Sequence, residues 1–180
     1  MTGMRLFLLT AALALAGSLS AQEGQLPSWE VEELAASLDE NTTKVEQILD
    51  GVRPKEWIQD GAPEAYVTQY DELKADLNNL RLSAQALGRS PEKLSVVVDT
   101  FLWLDRMGSM LGSMIEGVRR YQSGAIADLL ESSRGSNVAA EAVLKEYMRQ
   151  IVVATEAEME IAHHEAQRCR ASIAGRTGGR

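Results

Sequence analysis

The only histidines of this chain, His163 and His164, stand side by side in TEAEMEIAHHEAQRCR, among Glu156, Glu160 and Glu165. Glu160-x-x-His163 has the spacing with which helices of di-iron carboxylate bundles present a metal-binding pair. One such pair is half a site, and no third histidine exists to complete the other half. Glu156, Glu160 and His163 with one more carboxylate would make a mononuclear or zinc set. Acid-rich exposed helix faces produce this spacing by chance. Glu160, His163 and His164 therefore stand as weak metal candidates, and no ion or cofactor is assigned.

Other chemistry is less complete. No C-x-x-C-H sequence is present, so covalent c-type haem attachment is excluded. A b-type haem would need a methionine facing His163 or His164. Met107, Met110 and Met114 share a helix face and could in principle hold Cu(I) through their thioethers. Methionine also fills irregular cores, which is the expected role here. In an antiparallel arrangement those methionines lie too far along their helix to meet the histidines. Cys169 is the single cysteine, so no internal disulfide can form. It lies between Arg168 and Arg170, but neighbours on a helix point apart. A buried, inert thiol is expected, with an intermolecular disulfide as the alternative. Phosphate loops, G-x-S-x-G, H-E-x-x-H and paired CxxC are absent. No catalytic constellation is recognisable, and no enzyme is expected.

Helices must position these residues. In the stretch 94–122, Leu94, Val97, Phe101, Leu104, Gly108, Leu111, Ile115 and Val118 alternate three and four apart, one stripe of an α-helix. Val96, Trp103 and Met110 make a second stripe, and Met107 and Met114 a third. A helix apolar on several sides has to be surrounded by others. Upstream, Val31, Leu34, Leu38, Val45, Ile48 and Val52 mark a first helix from Ser28 to about Gly51. Asn41 and Thr42 sit in the middle of its stripe, where polar side chains set register. Pro54 and Gly61 punctuate a break, 52–62, in which Trp57 and Ile58 are expected to plug one end of the core. After Pro63 the next stripe is Tyr66, Tyr70, Leu73, Leu77, Leu80, Ala84 and Leu87, a coiled-coil-like seam, with Gly88 expected as a left-handed terminator. The tight Arg89–Ser90 connection, with Ser90 as cap and Pro91 in the first turn, requires antiparallel neighbours. Gly108 and Gly112 predict close approach of another backbone.

Ser123 and Gly124 interrupt the pattern. A short accessory helix is expected over 125–131, with Ile126, Leu129 and Leu130 inward, then a turn at 134–136. A last long helix over 137–173 carries Ala140, Leu144, Tyr147, Ile151 and Ala154. Its stripe then shifts to Thr155, Met159, Ala162, Ala166, Cys169 and Ile173. The fold expected is all-α: a mainly antiparallel bundle of four long helices and a short accessory helix, preceded by a signal peptide.

The signal peptide is residues 1–21. Arg5 is its positive region, 6–16 its apolar run, and Ala21 the preferred cleavage position, with Ser20 next. The run is shorter than the ~20 apolar residues needed to span a bilayer, and no later segment in the mature chain qualifies. A leader (22–27), a single bundle domain (28–174) and a basic tail (175–180) complete the division. Cleavage leaves 159 residues with 17 basic and 26 acidic side chains. That acidic balance argues against nucleic acid as a partner. The expectation is a periplasmic or secreted, non-enzymatic bundle that binds a protein partner or its own copies. A metal- or haem-binding bundle and an ATP-independent envelope chaperone are the alternatives. Mass spectrometry of the exported protein should find its first residue at Gln22; a mature chain still carrying residues 1–21 would remove the export reading.

Overall fold

The computed structural model describes residues 26–177, with side chains through residue 173. The expected signal peptide, 1–21, lies outside those residues, as do 22–25 of the leader and 178–180 of the tail. The described residues form α1 (Ser28–Leu49), α2 (Pro54–Trp57), a 3-10 turn (Ile58–Asp60), α3 (Ala65–Arg89), α4 (Leu94–Tyr121) and α5 (Gly124–Thr177). No strand occurs among them, and the chain is all-α.

The long helices are ordered by contacts whose residue numbers rise on one side and fall on the other. Between α1 and α3, Glu46 meets Arg81 at 2.8 Å and Asp50 meets Lys74 at 2.7 Å. Between α3 and α4, Asp76 meets Arg106 at 2.6 Å, and Thr100 donates to the Ser83 carbonyl. The start of α5 meets the end of α4 through Asp128 and Arg119, and Tyr147 further on donates to the Pro91 carbonyl before α4. Asn41 of α1 bonds Asn137 of α5, while the Leu26 amide donates to Gln150. Each packed pair therefore runs in opposite senses.

One apolar cluster fills the end near the α1–α3 connection, with Leu49, Leu77, Leu111, Met114 and Leu130 fully buried. A second, at the other end, gathers Val31, Leu87, Val97, Leu144, Tyr147 and Ile151. The stripe of α3 lies where the spacing puts it: Leu73, Leu77, Leu80, Ala84 and Leu87 are all buried. Helix α4 buries one broad face, including Met107 and Met114. It is not enclosed all round: Val96, Trp103 and Met110 are half-buried and Leu102 is 56% exposed. Its two packed neighbours, α3 and α5, cover one side and leave the other to water.

The connection between α1 and α3 closes one end. Trp57 is buried, as its place in a polar loop predicts, whereas Ile58 is 38% exposed. Gly61, at φ 83°, takes the left-handed conformation that turns the chain into α3. The Trp57 indole N–H donates to Gln122 Oε1, which also accepts from the Arg53 amide, and Gln122 Nε2 donates to the Gly51 carbonyl. Tyr66 meets Trp57 edge-on and Tyr121 stacks on it.

Several expectations are corrected. No break divides α5: the accessory helix over 125–131, the turn at 134–136 and the last long helix are one 54-residue helix. Gly124, Ser133 and Gly135 cost helix propensity, but the buried anchors Ala127, Leu130, Asn137 and Leu144 hold successive turns to the core. Leu129 points out, 57% exposed. The helix also continues to Thr177, past the expected boundary at 174. Gly88 is helical and does not take positive φ, and Pro91 precedes α4, which starts at Leu94. Gly108 and Gly112 have no foreign atom within 4 Å of where a Cβ would stand. The close approach falls on Gly117, where a Cβ would meet Tyr66 Cε1 at 2.7 Å and Trp57 Cζ3 at 3.0 Å. Gly117→Ala should therefore lower stability by ~1–3 kcal/mol through overpacking. Gly112→Ala, in open space within a helix, should raise it by up to ~1 kcal/mol. Urea unfolding of the two variants measures both, and equal effects would refute the assignment of the close approach to Gly117.

Candidate functional site

Beyond Ile151 the helix α5 outruns its neighbours. Leu26, just before α1, is level with Gln150, and the α3–α4 connection is level with Tyr147. Past that level every side chain from Glu156 to Ile173 is exposed. Met159 is 68% and Ile161 61% exposed. Glu160, His163, His164 and Cys169 all belong to this extension.

The extension separates what the spacing placed together. Glu160 Oε1 lies 3.8 Å from His164 Nε2, one residue beyond the partner that the i,i+3 spacing suggests. His163 Nε2 faces Gln167 Nε2 at 3.4 Å, and the two imidazole centroids are 6.4 Å apart. Among the described residues no three His, Cys, Asp or Glu side chains group closely enough to share an ion. The methionines are remote from the histidines: Met107 and Met114 are sealed inside the core, and His163 stands about 24 Å along the axis beyond Tyr147 in the other direction. Cys169 is exposed, not buried. Its stripe has the spacing of an inward face, but among the described residues no other helix packs against this part of α5.

Two further features flank the α1–α5 seam. Near the start of α1, a groove of about 530 Å³ is lined by Leu26, Trp29, Leu34 and Val143, with Trp29 56% exposed. An adjoining groove is lined by Pro27, Glu146 and Gln150. Further along, Asn41 Nδ2 donates both to Asn137 Oδ1 at 2.7 Å and to the Ser133 carbonyl at 2.9 Å, while Asn137 Nδ2 is buried with no partner. This pair sets the register of α1 on α5, a role the place of Asn41 in its stripe foretells; Asn137 was hidden by the expected turn beside it.

A smaller pocket of about 280 Å³ sits at the α1–α3 elbow, lined by Val52, Arg53, Pro54, Val67, Tyr70 and Asp71. Tyr70 donates to the Leu49 carbonyl and lies under Lys74, so its hydroxyl already has a structural partner. The buried Asp76 of α3 accepts from Nε of the exposed Arg106 of α4 at 2.6 Å. Its place beside the Leu73–Leu77 stripe is what marks it in the sequence.

Comparison with known proteins found no matching family model, no matching curated protein and no matching solved structure. Among the described residues no helix is long and apolar enough to cross a membrane.

The charges around the grooves belong mainly to the helix surface. Arg149 donates to both carboxylate oxygens of Glu146, and Gln150 donates a further bond. These donors hold the Glu146 carboxyl down to about 2, from an ordinary 4.5. Because the folded value is depressed, the pairing is complete above pH 4.5 and is lost as pH falls through about 2. In Arg149→Ala the Glu146 midpoint, followed by NMR, should move back towards 4.5. The pair is in water and screened, so the unfolding midpoint at neutral pH should fall only slightly. A Glu146 midpoint unmoved by the substitution would rule out Arg149 as the cause.

Proposed function

We propose that the chain is an exported, non-enzymatic protein of the cell envelope that acts as a binding or self-association module. Its α1, α3, α4 and α5 are read as an antiparallel four-helix bundle, and the α5 extension beyond residue 151 as the working surface. One observation carries this reading: about five helical turns of α5, from Glu156 to Ile173, are exposed, with Met159 and Ile161 among their large apolar side chains. A helix that outruns its neighbours this far holds out apolar side chains, Met159 and Ile161, that another chain can cover. The export part rests on the positive, apolar and small-residue succession of 1–21. The mature acidic charge is consistent with a protein partner and disfavours polyanions.

Sizing by light scattering, with chemical cross-linking in the native envelope, tests this. The expected result is a mass above the monomer or a discrete complex with another protein. A monomer that cross-links to nothing would overturn the proposal.

A further inference from the structure

We propose that the α5 segment 155–173 pairs antiparallel with the same segment of a second copy, centred on residue 164. This rests on the binding-module reading above and names its partner.

The stripe Thr155, Met159, Ala162, Ala166, Cys169 and Ile173 is spaced four, three, four, three, four. That succession is the same in both directions. Turned end for end, Thr155 stands opposite Ile173 of the copy, Met159 opposite Cys169, and Ala162 opposite Ala166. The bulky methionine thus meets a small cysteine, and the central alanines allow the axes to approach to the short end of the ~8–10 Å range.

Sterics select the direction. Ala162 and Cys169 stand eighteen residues, about five turns, beyond the buried Leu144 and Ile151. The stripe therefore continues the face that α5 turns towards its own core. A parallel copy on this face would have to occupy the volume filled by α1 and α4. An antiparallel copy meets only the extension, and its packed body falls beyond Thr177.

Charge agrees with the same direction. Glu156, His163 and Arg170 each follow a stripe residue by one position and form a row seven apart along one edge. In the antiparallel pair Glu156 of each copy faces Arg170 of the other, twice by symmetry. The opposite edge holds Glu158, Glu165 and Ser172, and brings one like pair, Glu165 against its copy. Two attractive contacts outnumber that repulsion, each a modest surface interaction.

The test is thiol cross-linking of the full mature chain. Two Cys169 residues in this pair lie about 15 Å apart along the axis, beyond disulfide reach. Mild oxidation should leave the wild type uncross-linked, whereas Met159→Cys should form a covalent dimer through Cys169 of the partner. Met159→Cys combined with Cys169→Ser should form none. Separately, Glu156→Arg should weaken dimerisation about tenfold or more, and Glu156→Arg with Arg170→Glu should restore it. Helix content by circular dichroism should be unchanged throughout, since both positions are exposed. A wild-type Cys169 cross-link, or a dimer indifferent to these changes, overturns the antiparallel register while leaving the binding-module reading in place. A monomer captured by a different protein does the same. A monomer with no partner removes both.

Discussion

Trp57 can reach the backbone of α4 only because residue 117 has no side chain. Its ring lies where an alanine Cβ would stand at 3.0 Å, and Tyr66 crowds the same point at 2.7 Å. The contact ties three stretches of chain together: the connection after α1, the first turn of α3 and the last turn of α4. Gln122 completes the closure by accepting from Trp57 and Arg53 and donating to Gly51. A loop carrying a large indole could not otherwise lie inside without stranding its N–H. With this end fixed, the stripes of α1, α3 and α4 start in register and the core between them follows.

The two ends of the molecule are built on different terms. The Trp57 end is plugged by aromatic rings. At the end beyond Tyr147 no aromatic plug occurs among the described residues, and α5 passes out of it. Between the ends, α5 is held on α1 partly by the Asn41–Asn137 bond, within an otherwise apolar seam. A buried amide with one unpartnered nitrogen costs ~1–3 kcal/mol, so this pair is weak evidence for stability. What it supplies is position: sliding α5 by one turn would break the bond and leave both amides unsatisfied. Together with the buried anchors around it, this contact fixes how much of α5 is left outside.

Much of this was legible from side-chain spacing. The α3 stripe from Leu73 to Leu87 and the Val97, Leu104, Leu111 and Val118 stripe of α4 are buried as their periodicity requires. Trp57 declared itself as an apolar residue in a polar loop. The failures have physical causes. Glycine and serine near residues 123–136 suggested breaks, but local propensity is worth at most about 1 kcal/mol per residue, less than burial of an anchor such as Leu130. Glycine pairs suggested close approach at Gly108 and Gly112, while the real approach, at Gly117, depends on a ring arriving from a distant loop. Cys169 shows the limit of periodicity most plainly. Spacing tells which way a side chain points around its helix; whether anything stands opposite is a property of where the other elements end. The candidate site was legible only as a set of residues, Glu160, His163 and His164, whose mutual geometry is that of a helix surface.

That the extension stays helical in water also has a cause. An isolated helix of its length would be marginal because nucleation is unfavourable. Here nucleation is already done within the packed part of α5, and each added residue only propagates it. The extension is rich in alanine, glutamate and arginine, which propagate well. Its stripe therefore arrives aligned, with little backbone freedom left to lose when something docks on it. A flexible tail with the same residues would bind more weakly for that reason alone. The rigidity of the packed helices is in this sense exported along α5 to a surface that none of them touches.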